Sequence, residues 1–122
     1  MDQDTQSQEP RRSLPAVYAN NTAVEASVWD LKVVFGQWYQ SGGVDWHTMV
    51  TMPWAQAKLL AFYLRVNLAM YEAQHGKVIV PQAMWPQPLP GDLADPATAE
   101  EWNLKAVALA REMHEEFIRD LK

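Results

Sequence analysis

Cysteine is absent from the 122 residues, so neither a disulfide framework nor a thiolate metal site is open to this chain. Glycine is scarce, at five positions. Gly36, Gly42, Gly43, Gly76 and Gly91 fit no phosphate-cradling loop, and Ser13, Ser27 and Ser41 sit in no G-x-S-x-G elbow. Excess positive charge is missing as well. The formal net charge is −5, and Arg11-Arg12 is the only basic cluster, so nucleic acid is not an expected partner. No run approaches the roughly 18 apolar residues of a membrane span, and "MDQDTQSQEPRRSLP" at the start has no apolar segment like that of a signal peptide. These absences lead us to expect a soluble, cytoplasmic protein with no cofactor, no metal and no membrane or nucleic-acid partner.

What is present is an ordinary apolar fraction of 48% with six tryptophans, enough for one packed domain. A domain of this size buries only about two-thirds of the surface of its unfolded chain, so a partner subunit would add appreciable stability. Four stretches differ in composition. Residues 1–14 are polar and aperiodic and read as a disordered tail. Residues 15–80 carry the strand and helix patterns of a small core domain, 81–96 form a proline-rich arm, and 97–122 form a C-terminal amphipathic helix.

Within "VEASVWDLKVVFG", Val24, Ala26 and Val28 alternate with Glu25, Ser27 and Trp29. Leu31, Val33 and Phe35 then resume the alternation. Ser27 to Asp30 supplies side chains that bond to nearby backbone, so the pause at Trp29-Asp30 predicts the joint of an antiparallel hairpin, with Trp29 capping its end. Gly36 and the Gly42-Gly43 pair mark a turn or loop. A third strand comes next in "WHTMVTM", with Trp46, Thr48, Val50 and Met52 on one face and His47, Met49 and Thr51 on the other.

Pro53 ends that strand, and "WAQAKLLAFYLRVNLAMYEAQHG" predicts a helix to His75 with Gly76 as its left-handed cap. Its apolar residues run from Leu59 to Tyr71 and cover most of the circumference. Only Lys58, Arg65 and Glu72 form a charged line. Val78 to Val80 is a short strand candidate. Pro81, Pro86, Pro88, Pro90 and Pro96 then impose extended backbone. The last helix starts through Asp95-Pro96 or a capping box, Thr98-x-x-Glu101. Its apolar stripe is Trp102, Ala106, Leu109, Met113 and Phe117, and its exposed ion pairs are Glu101 with Lys105, Arg111 with Glu115, and Glu115 with Arg119.

Signals for chemistry are few. His114 opens "HEEFI", which fails the H-E-x-x-H zinc pattern at Ile118 and leaves a solvated helix histidine. His75 complements a helix C-terminus. Asp45 and His47, two apart in "DWH", are the one candidate ligand or acid/base pair, with no third partner in sequence. Trp38, Trp46, Trp54, Trp85 and Trp102 read first as core packing. Trp85 in "MWPQPLPG" also reads as an anchor by which the arm docks onto its own domain, a second subunit or another protein.

Tyr18 and Asn20, Trp29 and Asp30, Phe35 and Gly36, Ala57 and Lys58, and Asn67, Tyr71, Glu72 and Gly76 together give a distributed pattern over residues 16–80. It runs as Y-x-N, an aromatic-containing hinge before a strand ending F-G, an A-K helix start, and an N-x-x-x-Y-E-x-x-x-G helix end. In this pattern the chain resembles the bacterial family catalogued as domain of unknown function 3467. The resemblance implies a small α+β domain that self-associates, and it carries no assigned activity or catalytic residues. The family has Ser or Thr before the helix-start proline where this chain has Met52.

The expectation is therefore an α+β fold, an antiparallel meander of about three strands packed on a long helix, with the arm and a second C-terminal helix. The expected function is a non-enzymatic, oligomeric protein-interaction or structural module, with a homodimer favoured and an unidentified protein partner allowed for. Candidate interface residues are Leu60, Leu64, Leu68, Trp85, Trp102, Leu109, Met113 and Phe117. The alternative is a small-ligand-binding or enzymatic domain with its pocket near Asp45 and His47. Coverage of the long helix by the last helix of the same chain competes with coverage by a neighbouring subunit.

Overall fold

The computed structural model describes residues 11, 13–90, 97 and 99–122. Three strands, β1 (Asn21–Ala26), β2 (Asp30–Trp38) and β3 (Val44–Pro53), form one antiparallel sheet in the order β1-β2-β3. Among the described residues two helices come after them, α1 (Trp54–His75) and α2 (Glu101–Leu121), with a 3-10 turn at Gln82–Met84 between them. The fold class is α+β, as expected. The chain divides into two units, Met1–Leu68 and Ala69–Lys122, with the division falling inside α1. The expected tail lies largely outside the described residues. So do residues 91–96 of the arm and, with them, the Asp95-Pro96 helix start.

The hairpin forms where the alternation pauses, with Ala26 paired to Leu31. Ser27 closes it. Its N–H donates to the Asp30 carbonyl at 2.9 Å, and its Oγ accepts the N–H groups of Trp29 and Asp30 at 3.1 and 3.0 Å. The hydroxyl itself donates to Asp30 Oδ1 at 3.0 Å. One side chain thus satisfies the donors of a tight turn that would otherwise need water. Trp29 sits at the tip but caps nothing, since it and Val28 are more than four-fifths exposed.

A bulge between β2 and β3 alters the facing of the third strand. Phe35 pairs with Thr48, but the next residue, Gly36, pairs with Trp46, so His47 is the extra residue. One inserted residue exchanges the two faces of the strand across the bulge. Trp46 therefore leaves the face of Thr48, Val50 and Met52, on which simple alternation had put it. Gly36 lies mid-strand rather than in a turn, and space is what it supplies. A Cβ there would come within 2.8 Å of the Asp45 carbonyl oxygen, the Trp46 ring and Val44 Cγ1. Positive φ is used instead at Gly42, Gly43 and Gly76, the first two in the loop before β3 and the last at the end of α1, where Gly76 N–H bonds the Glu72 carbonyl at 2.9 Å.

Three further readings change. Val78 to Val80 forms no strand, because Val78 N–H is taken by Glu72 Oε2 at 2.8 Å and the Val80 carbonyl by the Trp85 indole at 2.9 Å. Helix α2 is capped by Glu100 in extended conformation without a side-chain bond, so the capping-box start, whose Thr98 lies outside the described residues, gives way to Glu100. Its first N–H groups, on Asn103 and Leu104, bond the Glu100 carbonyl at 3.0 and 3.1 Å. Of the three exposed ion pairs, Glu101 with Lys105 forms at 3.4 Å, while Arg111 turns to the Pro90 carbonyl at 2.9 Å.

Candidate functional site

Pairing register sorts the sheet into two unlike faces. One carries Thr22, Val24 and Ala26, Leu31, Val33 and Phe35, and Thr48, Val50 and Met52. None of these nine is charged, and past the bulge the same face carries Gln37 and its partner Asp45. The other carries Glu25 and Lys32 together with Ala23, Val34, Met49 and Thr51. The branched-aliphatic rows of this face are what a covering layer needs. Only Met52 on it is buried, however, at 9% relative exposure, while Val24 is 61% and Val50 40% exposed.

Helix α1 is in the same condition. None of its 22 residues is buried. Leu60 is half-buried, Leu64 is 61% and Leu68 51% exposed, and Leu59, Phe62, Tyr63, Met70 and Tyr71 are exposed as well. The layer of strands that was expected to cover it does not do so within the chain. The junction shows why. Pro53 is the last residue of β3 and Trp54 the first of α1, leaving no loop in which the helix could reverse over its own sheet, where such connections ordinarily take about 2–6 residues. The Trp54 indole N–H also donates to the Ser27 carbonyl at 2.9 Å, which ties the helix start to the end of the hairpin.

Asp45 and His47 do not form a site together. His47 Nε2 donates to the Tyr18 carbonyl at 3.0 Å, and its Nδ1 lies 2.7 Å from the Thr48 hydroxyl. Both ring nitrogens are engaged in holding the bulge and the chain before β1. Asp45 is an exposed residue paired with Gln37 on the far side of that bulge. Among the described residues no group of three His, Asp or Glu side chains is placed to hold a metal. Two hollows of about 290 and 280 Å³ open along the last turns of α2, beside His114, Ile118 and Lys122 and beside Glu116 and Asp120 respectively. No helix among the described residues is long and apolar enough to cross a membrane.

Residues 2–80 match the model of a family described as "Protein of unknown function (DUF3467)". The chain belongs to this family. No curated protein and no solved structure matches it. The family match begins at residue 2, earlier than the motif pattern at 16, and it ends at 80, so the arm and α2 lie outside it.

The residues of the family pattern have identifiable structural work. Asn20 extends the β1–β2 pairing beyond the strand, its N–H bonding the Gly36 carbonyl at 3.1 Å and its Oδ1 accepting Trp38 N–H at 2.7 Å. Tyr18 contributes its carbonyl to His47. Asn67 bonds back to the Tyr63 carbonyl at 2.8 Å. Tyr71 packs its ring 4.7 Å from that of His75. Glu72, assigned from spacing to a solvated charged line, is half-buried and holds Val78 N–H past the Gly76 cap. Met52, before the helix-start proline, supplies the buried apolar side chain of the sheet.

Outside the family match, the arm is bound to α2. His114, expected to be solvated, is half-buried and donates through Nε2 to the Pro86 carbonyl at 2.8 Å, while Arg111 holds that of Pro90. With Leu104, Val107 and Ile118, all partly or fully buried, they make a stripe at helical spacing. Polarity concealed this stripe from the sequence reading, which took the more apolar line. That line, with Trp102, Leu109, Met113 and Phe117, is instead exposed. The Trp102 indole N–H bonds the Glu100 carboxylate. Trp85 is half-buried within the arm. None of the six tryptophans is buried in the single chain.

Proposed function

We propose that this chain is a non-enzymatic, self-associating interaction module whose stable form is a homodimer. The observation that carries the reading is the α1 helix, with apolar side chains on most of its circumference and no buried residue. Exposed large side chains from Leu59 to Tyr71 offer on the order of 800 Å² per chain, about one partner's share of a standard interface. A monomer in water would leave this patch beyond the few hundred Å² that soluble proteins normally expose. Two-fold closure is the commonest way for a small domain to cover such a surface. The Leu60, Leu64 and Leu68 row belongs to this contact, and the exposed α2 line of Trp102, Leu109, Met113 and Phe117, with Trp85 in the arm, is a second surface available to a partner. Light scattering at micromolar concentration is expected to give twice the chain mass. A clean monomer with a full helical circular-dichroism signal would overturn the proposal.

A further inference from the structure

We infer that the aliphatic face of the sheet bearing Val24, Val33 and Val50 is covered by α1 of a second copy, the two chains exchanging helices reciprocally. This deepens the self-association reading and rests on it, and three observations select the occupant. First, Pro53 and Trp54 join β3 to α1 without a loop, and the Trp54 indole fixes that joint to the Ser27 carbonyl. A helix so attached leaves the end of its own sheet and cannot lie back over it. Second, the lengths agree. The 22 residues of α1 extend about 33 Å at helical rise, and the 10 residues of β3 extend about 33 Å at strand rise.

Third, both surfaces are apolar and neither is covered within the chain. The rows of the sheet from Ala26, Leu31 and Met52 to Thr22, Phe35 and Thr48 carry no charge, Asp45 lying beyond the bulge at the end of that face, and α1 has its charged residues at Lys58, Arg65 and Glu72 with apolar residues on most of the remaining circumference. Helix on sheet is the layer arrangement that an α+β domain uses to close a core. Here one chain holds both layers but joins them too tightly to bring them together. Two copies related by a two-fold axis supply each sheet with the other's helix, and the contact is then made twice per dimer.

The chain contains no cysteine, so introduced thiols report without background. One full-length chain carries Val33→Cys, a second of distinguishable mass carries Leu64→Cys, and the co-refolded mixture is treated with a short bifunctional maleimide. The expected result is a mixed crosslinked pair in several-fold greater yield than when Lys32→Cys, on the opposite face, replaces Val33→Cys, or when Arg65→Cys replaces Leu64→Cys. Should Val33→Cys fail to fold, Val24→Cys takes its place, at an exposed position on the same face. A dimer by mass that gives no preference for the Val33 and Leu64 pair would overturn the exchange while leaving self-association standing. A monomer in which Val24→Cys and Leu64→Cys of one chain crosslink internally would overturn both.

Discussion

The sheet with α1 and the arm with α2 are held together by different physics. In the first, backbone ladders join β1 to β2 and β2 to β3, interrupted by the one bulge, yet the side chains above them have little to pack against beyond Met52. In the second, no strand occurs among the described residues, and carbonyls of a proline-rich segment are taken one at a time by helix side chains, Pro86 by His114 and Pro90 by Arg111. Proline explains the contrast. It removes the N–H that a ladder requires but leaves its carbonyl free to accept. The arm thus cannot pair as a strand and is tied down by donors from outside. A ladder gives shape without a core, whereas side-chain ties give local closure, so the two regions should answer differently to mutation.

The largest effect is expected at Leu64, and it tests whether the first region needs a partner. Burying a leucine contributes about 1.5–3 kcal/mol, and a carboxylate forced into the same contact adds a desolvation penalty of several kcal/mol. Leu64→Asp should therefore separate the proposed dimer, halving the mass by light scattering and reducing the helical signal. An unchanged mass with full helicity would erase the contrast, because α1 would then tolerate water on that side.

Gly36 tests the sheet itself. Two of the three atoms that a Cβ would strike belong to side chains, but the Asp45 carbonyl oxygen is backbone at 2.8 Å and cannot move without disturbing the bulge. Gly36→Ala should cost about 1–3 kcal/mol, the usual range for overpacking, read as a lower denaturant midpoint with the slope unchanged. A midpoint equal to that of the parent would mean that the bulge shifts freely.

Most of the fold was legible in the sequence, and the failures have one cause. Alternation located β1, β2 and β3, the run between Pro53 and Gly76 located α1, and Ser27 to Asp30 located the hairpin, because each of those signals is local. Gly36, Trp46, Glu72 and His114 were misplaced because their roles depend on a neighbour distant in sequence or beyond a turn. Gly36 yields space to Trp46, and a bulge that reverses a face leaves no mark on the alternation pattern. His114 binds a carbonyl 28 residues away. The candidate pair of Asp45 and His47 rested on spacing alone, and the extra residue at the bulge separates their roles. The interface candidates on α1 and α2 were legible as apolar rows, since apolarity at helical spacing needs no partner to be seen.

His114 gives a smaller effect, confined to the second region. His114→Ala removes the donor to the Pro86 carbonyl and should cost about 1 kcal/mol, the net worth of an ordinary hydrogen bond. Hydrogen exchange should speed up at the arm, including Trp85, with the mass in solution unchanged. Loss of the dimer in this variant would show that the arm contributes to self-association and that the two regions are not separable in this sense.

The smallest effect is expected at Lys105, and its size has a reason. Its ammonium lies 3.4 Å from Glu101, with the two side chains 78% and 84% exposed, so water screens the pair to a few tenths of a kcal/mol. The order, glutamate four residues before lysine, is the favourable one on a helix. Both residues, however, stand in the first turns of α2, where the helix dipole favours the carboxylate and opposes the ammonium. Removing Lys105 loses the pair, relieves that opposition and introduces the best helix former. Lys105→Ala should therefore shift stability by less than about 0.5 kcal/mol. Glu101→Ala loses the pair and the dipole term together and should be the more destabilising of the two. Thermal midpoints of both variants and of the double substitution separate the contributions. If Lys105→Ala proves the costlier change, the lysine stem is packing against the helix surface and the exposed pair is more than a solvated contact.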